Sequence, residues 1–564
     1  MKCLVRSSLL GGAVWAATAF MPASAAACGG FFCNAAQPVN QAAEGILFAD
    51  NGDGTTTAVI QIQYQGPSQS FSWLLPISSV PKSDADIGVA SNFALQRLQL
   101  ATNPKYTLTV QVEGSCRDES SSGAGCGASA STASQVGGSK GVPSNDTHGV
   151  TVEASGVVGS FEWSVISPDR TLPDPASAAV DWLQANGYDV PSGAPKLLGP
   201  YLEQGLFLLA LRLTKGADTG SIRPILLNYV GQPSIPLKLT AVAANDDMGI
   251  LAWVLGAARA VPENYLSLDL NEARINWFSP GSNYNSVVTE AANDAGGQGF
   301  VTEFSGSTAS LAAQIWTPID ETNWQNLNRG VSDSTLFALA YQAFGQWDGF
   351  WDAVRAVATL PSGLTVDALK ACPSCYTVQL AAAAYLPELD KDVIQPVKRV
   401  QALIDGHPRM TRLYTTLSAD EMTLDPAFAF NADLPEVSNV HTAKRVIECS
   451  PNLSQNEAPW HIELPQGDTV WGSGADAASA TWPTGLSALA PNRSIGRAGK
   501  SGAGELLEDN SSTITAQLKS YNAGKEAQPE SAGGCVASGG RRPSGALLAA
   551  VVLGATVARR RRRR

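Results

Sequence analysis

The first half of the chain alternates apolar and polar residues with a period of two. Such alternation puts one face of a segment in a core and the other face toward solvent, as in antiparallel sheets. The clearest runs are residues 60–64, 106–112, 207–213 and 235–241. Residues 41–265 are therefore predicted to be rich in antiparallel strands.

Turn and cap signals punctuate these strands. Residues 50–54 (DNGDG) separate two alternating runs, and this composition predicts a hairpin turn. Asp174 followed by Pro175 is typical of the start of a helix, and the Asn-Gly pair at 186–187 is typical of its end. We therefore expect one helix to interrupt the strands.

The second half has a helical period instead. Good helix formers with helical spacing begin near residue 271, and a short strand is expected around 461–464. The predicted helices cover residues 334–344, 350–360, 366–371 and 391–404. After residue 470 the periodicity is lost and Gly, Ala, Ser and Asn dominate, which predicts a disordered stalk over 471–534.

These patterns predict an α+β fold with an antiparallel β-rich N-terminal half and a helix-rich C-terminal half, followed by a disordered stalk and a C-terminal membrane segment. The expected organisation is a signal peptide (1–27), a β-rich domain (28–270) with a Ser/Gly-rich insertion (114–150), a helix-rich domain (271–470), the stalk (471–534) and a sorting or transmembrane tail (535–564).

The N-terminus has the three zones of a secretory signal. Lys2 and Arg6 are basic, residues 9–20 are mostly apolar, and small residues follow. The apolar zone is too short to span about 30 Å of hydrocarbon as a helix. We predict export and cleavage by signal peptidase near residues 26–27. The rival interpretation is a lipoprotein signal with Cys28 acylated.

The C-terminus ends in an apolar segment followed by arginines. Residues 545–558 carry no charge, and six consecutive arginines, 559–564, close the chain. Clustered arginines resist translocation, so they are expected to stay cytoplasmic while the preceding chain lies outside. At about 1.5 Å per residue the 14 apolar residues reach only about 21 Å. A segment this short suits a transient anchor.

A cysteine precedes this tail. Gly533-Gly534-Cys535, the apolar segment and the arginines stand in the order that resembles MYXO-CTERM sorting signals. The resemblance implies processing near Cys535 by a sorting protease and retention at the cell surface. The alternative is a single-pass tail anchor that is never cut.

Charge changes the list of expected partners. The whole chain has a net charge of −12. Without residues 1–27 and 535–564, 28 basic residues face 50 acidic ones, so the exported part has a net charge of −22. Such a body should repel nucleic acid and anionic lipid surfaces. Expected partners are therefore the processing proteases, the membrane at the tail, and a polysaccharide or another envelope protein.

The cysteines of the exported body occur mostly as local pairs. In an oxidising compartment the default interpretation is disulfides, here Cys28 with Cys33, Cys116 with Cys126 at the base of the insertion, and Cys372 with Cys375. Spacing does not fix the connectivity, because Cys449 is left over and could pair with Cys28 or Cys33. Residues 372–375 (CPSC) also match a redox dithiol, but the strand-then-helix context of such sites is missing.

No catalytic constellation emerges, and neither a cofactor nor a metal site is predicted. The four histidines lack the spacing of a zinc-protease motif, and a hydrolytic triad would need His407, His441 or His461. His441 is the best of these candidates. Residues 499–501 (GKS) suggest a phosphate loop, but Ser494 stands at the first glycine position and no strand is expected before it.

Several stretches resemble one family of secreted bacterial proteins, the family of domain of unknown function 2330. The resemblance is carried by residues 27–33 (ACGGFFC), 38–41, 71–76 (FSWLLP), 80–81, 413–418, 422–426 and 439–442. It implies no activity, because the family has none to transfer. If Cys28 and Cys33 begin the mature chain, a disulfide between them would fasten the first strand.

The function expected from the sequence is that of a surface-retained structural or binding protein without catalytic activity. One alternative is an envelope hydrolase that uses His441 or His461. The other is a thiol-disulfide protein that uses Cys372 and Cys375.

Overall fold

The computed structural model describes residues 44–61, 72–83, 85–117, 149–188, 190, 193–214, 222–241, 244–360, 363–472 and 482–525. The strands of this part of the chain are β1 (Glu44–Asp50), β2 (Thr55–Gln61), β3 (Ser72–Ile77), β4 (Ile87–Val89), β5 (Lys105–Gly114), β6 (Val150–Val158), β7 (Phe161–Pro168), β8 (Phe207–Leu213), β9 (Ile225–Val230), β10 (Met248–Gly256), β11 (Arg259–Pro262), β12 (Leu266–Leu270), β13 (Gly299–Ser307), β14 (Arg409–Leu417), β15 (Phe428–Asn431), β16 (Val440–Cys449), β17 (Trp460–Glu463), β18 (Thr469–Gly472), β19 (Asn492–Arg497) and β20 (Glu505–Asp509).

Most helices of the described residues lie after residue 270, as the change of period predicts. The helices are α1 (Asn92–Thr102), α2 (Pro175–Ala185), α3 (Ala194–Glu203), α4 (Leu237–Thr240), α5 (Tyr284–Asp294), α6 (Ala312–Ile315), α7 (Pro318–Asn328), α8 (Asp333–Phe344), α9 (Phe350–Val357), α10 (Val366–Ala371), α11 (Ala382–Leu389), α12 (Gln395–Asp405) and α13 (Ser511–Asn522). The first half therefore holds α1, α3 and α4 in addition to the single predicted helix, α2. A π turn, Asp390–Ile394, joins α11 to α12. The fold class is α+β, as predicted.

A ten-stranded sheet, here called the main sheet, forms the middle layer. Its order is β20-β19-β12-β13-β14-β10-β1-β2-β9-β4, and only the β1–β10 and β12–β13 pairs are parallel. β1 and β2 form the predicted hairpin. Gly52 and Gly54 in its turn have φ of 77° and 86°, which a side chain would strain.

Both faces of the main sheet are covered. Leu47 and Ala49 of β1 belong to a core shared with the helices, whereas Ile46 and Phe48 belong to a core shared with a second sheet, β3-β8-β7-β6. This double burial explains why β10 is a continuous apolar run in which every residue is buried. A third sheet, β18-β17-β16-β5, adds to the helix-side core.

The predicted boundary at residue 270 does not separate two domains. The main sheet combines β1, β2 and β10 from the first half with β13 and β14 from the second, and the described residues up to 525 cluster as one compact unit. The correction has a simple cause. Periodicity reports local structure, whereas strand neighbours in a sheet are chosen by long-range packing.

The predicted stalk is wrong for residues 482–525. This stretch contributes β19, which pairs with β12 at the edge of the main sheet, and β20 beside it. Ile514 and Leu518 of α13 are buried in the helix-side core. Pairing with β12 stabilises this stretch, and the composition of the stretch alone gives no sign of that contact.

A second correction concerns residues 235–241. They contain the single helical turn α4 after Pro236 rather than a strand. Leu237, Leu239 and Thr240 are all buried. A run this short cannot distinguish the two periods.

The predicted signal peptide and the predicted tail with Cys535 lie outside the described residues. The disulfide candidates Cys28, Cys33 and Cys126 lie outside them too. Among the helices that the structure does describe, none combines the length and the apolar character needed to cross a bilayer.

Candidate functional site

A cavity of about 520 Å³ lies between the main sheet and the second sheet. One wall consists of apolar side chains of β1, β2 and β9, and the opposite wall comes from β3 and α3. Space of this size far exceeds the voids left between packed side chains, which rarely hold a water molecule. The apolar lining residues include Ile46, Phe48, Ala58, Ile60, Leu75, Ile77, Leu206, Leu227, Val230 and Leu424.

A cluster of three polar residues, Tyr201, Lys238 and Asp425, lies among these apolar walls. The Oδ1 atom of Asp425 accepts hydrogen bonds from the Tyr201 hydroxyl at 3.1 Å and from the backbone N–H of Lys238 at 2.9 Å. The Lys238 ammonium is 4.0 Å from Oδ2 of the same carboxylate. Burial raises the pKa of Asp425, and the bonds from Lys238 and Tyr201 oppose that rise.

The Lys238 ammonium can take a further acceptor. Its distance to Asp425 exceeds a hydrogen bond, and its side chain is 30% exposed. Among the lining residues that the structure describes, Lys238 is the one cation and Asp425 is the one carboxylate. An apolar chamber with one convergent cation and a fixed carboxylate is typical of a site for an amphiphilic small molecule.

His441 has an acidic partner but no nucleophile. Its Nδ1 lies 2.6 Å from Oε1 of Glu272, and its ring stacks on Tyr106 with centroids 4.8 Å apart. The other carboxylate oxygen of Glu272 is buried and has no hydrogen-bond partner within the described residues. No hydroxyl or thiol of those residues hydrogen-bonds to the ring. The pair joins β16 to the turn after β12.

Asp269 lies on an exposed position of β12 close to this pair. The surrounding protein nevertheless displaces enough water to raise the pKa of Asp269 to about 6. Arg493 and His441 lower that pKa, and Glu272 raises it further. The ionised form of Asp269 is therefore disfavoured by lost hydration and by the neighbouring Glu272, and this is an electrostatic feature rather than a catalytic geometry.

The other two described histidines have structural partners. The His461 Nδ1 lies 3.1 Å from Glu448, its Nε2 lies 3.7 Å from Glu463, and its ring packs on Trp471. His407 binds two backbone carbonyl groups through its ring nitrogens. Neither ring is held against a hydroxyl group in the part of the chain that is described.

Cys372 and Cys375 form the predicted disulfide. Cys372 is the C-cap of α10, so it lies at the negative end of a helix dipole, which disfavours a thiolate. A redox dithiol needs the opposite environment.

The predicted pairing of Cys116 with Cys126 is corrected by the structure. Cys116 forms a disulfide with Cys449, 333 residues away. β5 and β16 run parallel with Gly114 beside Cys449, so the sheet register brings the two sulfur atoms together. Pairing by closeness in sequence could not anticipate this register.

The GKS stretch lies in a hairpin beside a second cavity of about 480 Å³. A strand, β19, does precede it, contrary to the prediction, but β20 follows where a phosphate loop needs a helix. Its would-be phosphate ligands are already engaged. Lys500 pairs with Glu263 at 2.8 Å, and the N–H of Gly502 donates to Asp433 at 2.7 Å.

The cavity residues were not found from the sequence. Tyr201, Lys238 and Asp425 are separated by up to 224 positions and match no motif. Within the described residues, no group of three or more His, Cys, Asp or Glu side chains is arranged to hold a metal ion.

Comparison with known proteins gives one match. A family model described as an uncharacterised protein conserved in bacteria (DUF2330) matches residues 22–315. No curated protein and no solved structure matches the chain. The matched region contains the β1, β2, β3 and β9 walls of the cavity and ends before Asp425.

Proposed function

Because the chain belongs to the family of domain of unknown function 2330, whose description assigns no activity, we propose its function from the geometry: it is an exported binding protein that holds an amphiphile in the cavity between the main and second sheets. The observation that carries this proposal is the apolar cavity of about 520 Å³, in which Lys238 is the single cation among the described lining residues.

The ligand class follows from the lining. A volume of this size falls within the roughly 300–1,000 Å³ typical of small-molecule sites. Leucine, isoleucine and phenylalanine side chains suit an aliphatic body, because each buried methylene contributes about 0.8 kcal/mol. The Lys238 ammonium suits an anionic end group, since Asp425 already accepts two hydrogen bonds and leaves the ammonium short of a close partner.

Binding of matched ligands tests this proposal. Dodecanoate and dodecanol have the same chain, but only dodecanoate carries a charge. We expect both to bind the full-length chain in calorimetry, with dodecanoate tighter. Lys238→Met should weaken dodecanoate about tenfold or more, the value of one charged hydrogen bond. Dodecanol should be little affected.

Two further variants serve as controls. Lys196→Met removes an exposed lysine of α3 that does not line the cavity, so it should leave both affinities unchanged. Ala58→Leu adds bulk to a buried lining position and should weaken both ligands. Absence of binding by either ligand, or equal losses in Lys238→Met and Lys196→Met, would contradict the proposal.

Export and surface retention are part of the same proposal and rest on the sequence. The three-zone N-terminus and the arginine-capped tail support them. Protease treatment of intact cells should degrade the protein, whereas a chain lacking residues 1–27 should stay protected inside. Protection of the full-length chain in intact cells would contradict surface exposure.

A further inference from the structure

β5 is a long edge strand. It is the outermost strand of the third sheet, and β16 is its only neighbour among the described strands, in one unbroken register of ten residues. The N–H of Lys105 donates to Asn439, just before β16, so odd-numbered residues of β5 bond toward β16. The N–H and C=O groups of the even-numbered residues therefore point at the open edge. They belong to Tyr106, Leu108, Val110 and Val112.

Other described edges carry features that discourage pairing. β3 contains Pro76, and β6 has a bulge after Val152 with Glu153 inside it. β20 is five residues long with three acidic side chains, and β4 and β18 have only three and four residues. β5 has no proline, no bulge, and a lysine only at its first position. Proteins normally block an edge of this kind.

The apolar face of β5 is only partly covered. Tyr106 is buried and Leu108 packs against the helix-side core. Val110 and Val112 continue the same face but are 58% and 42% exposed. Another strand placed beside β5 would cover these valines and satisfy the open backbone groups at the same time.

The charges of β5 are self-complementary, because Lys105 and Glu113 lie near opposite ends of the strand. If β5 pairs antiparallel with a second β5 about Thr109, Lys105 faces Glu113 of the partner subunit, and the pair occurs twice. Leu108 then faces Val110, and Tyr106 faces Val112, so the apolar faces coincide. Moving the centre by one residue either way removes both charge pairs, because Lys105 then faces Gln111 or a position beyond the strand.

We propose that two copies of this chain associate edge to edge through β5, in the antiparallel register centred on Thr109. The two third sheets become one continuous eight-stranded sheet with a twofold axis at Thr109. Because the even-numbered residues make the new hydrogen bonds, Thr109 faces its own copy as a non-hydrogen-bonded pair, with Cα atoms about 4.5 Å apart. This association is independent of the cavity between the main and second sheets.

Cysteine cross-linking tests the register. Thr109→Cys in the full-length chain should give a disulfide-linked dimer under mild oxidation. Thr107→Cys is the matched control, because it lies on the same exposed face but sits about 14 Å from its own copy in this register. It should cross-link no more than the unchanged chain. Equal cross-linking at 107 and 109, or none at either, would overturn the proposal.

Charge reversal tests the partner. Lys105→Glu or Glu113→Lys alone puts like charges opposite each other twice and should weaken self-association about tenfold or more, measured by sedimentation. The double variant should restore it. A mixture of the two single variants should form a heterodimer. A monomer whose amides at 106, 108, 110 and 112 are already protected from hydrogen exchange would show that the chain covers its own edge, and would overturn the proposal.

Discussion

The Cys116–Cys449 disulfide allows a quantitative test of the fold. It ties β5 to β16 and closes a loop of 333 positions, whereas the Cys372–Cys375 disulfide closes a loop of 3. In the chain-entropy description, a cross-link stabilises the fold by restricting the unfolded chain, and this effect grows with the logarithm of loop length. The two disulfides should therefore differ strongly in their contribution to stability.

The expected magnitude follows from the two separations. Removing the long-range disulfide with Cys116→Ala and Cys449→Ala should cost about 6 kcal/mol of unfolding free energy, against about 2 kcal/mol for Cys372→Ala with Cys375→Ala. The difference of about 4 kcal/mol depends only on the ratio of the loop lengths. The second double variant is thus a matched control for the loss of two cysteines and one disulfide.

Urea unfolding of the oxidised full-length chain, followed by tryptophan fluorescence, measures both variants. Peptide mapping without reduction should first recover a peptide pair joined through Cys116 and Cys449. A recovered Cys116–Cys126 pair would refute the connectivity. Equal destabilisation by the two double variants would refute the loop-length reasoning even with the connectivity intact.

Three further predictions concern buried charge, pH and processing. Arg412→Met leaves Glu303, 3% exposed and bonded to Tyr284, as a buried unpaired carboxylate, and should cost about 3–5 kcal/mol in urea unfolding, largely recovered by adding Glu303→Leu. The pKa of Asp269 is raised from 3.8 to about 6, so the folded protein binds the Asp269 proton more tightly than the unfolded chain does, and this residue lowers stability increasingly as pH rises from about 4 through 6. Asp269→Asn should therefore raise the urea unfolding midpoint at pH 7.5 and not at pH 4. An equal gain at both pH values would contradict the raised pKa as the cause. In Cys535→Ser, mass spectrometry of the cell-associated protein should find the tail still attached, whereas the unsubstituted protein has lost it. Equal masses for the two proteins, apart from the substitution itself, would exclude processing near that cysteine.

The sequence predicted the elements better than their assembly. The alternating run at 106–112 is β5, the run at 207–213 is β8, and Asp174 caps α2 as expected. These signals are local, because a half-buried strand and a capped helix need only their own side chains to be recognised. The same local view placed a boundary at residue 270 and a stalk after 470, because it contains no information about which strands become neighbours.

The candidate site shows the same limit more sharply. Ala58, Lys238 and Asp425 lie on elements that are far apart in the chain, and each residue is ordinary in its local context. His441 was singled out from the sequence, and the structure gave it Glu272 as a partner but no described nucleophile. A cavity exists only where separate layers fail to fill the space between them, so no pattern along the sequence predicts it.

Local order was determined by the sequence alone: the strand-rich first half, the helices of the second, and the acidic body. Only the tertiary structure decided that both halves share one sheet, that Cys116 reaches Cys449, and that β5 has no neighbour on its outer side among the described strands. The physical reason is that side-chain periodicity is a property of a few consecutive residues, whereas sheet order, register and cavities arise from free energies gained between segments hundreds of residues apart.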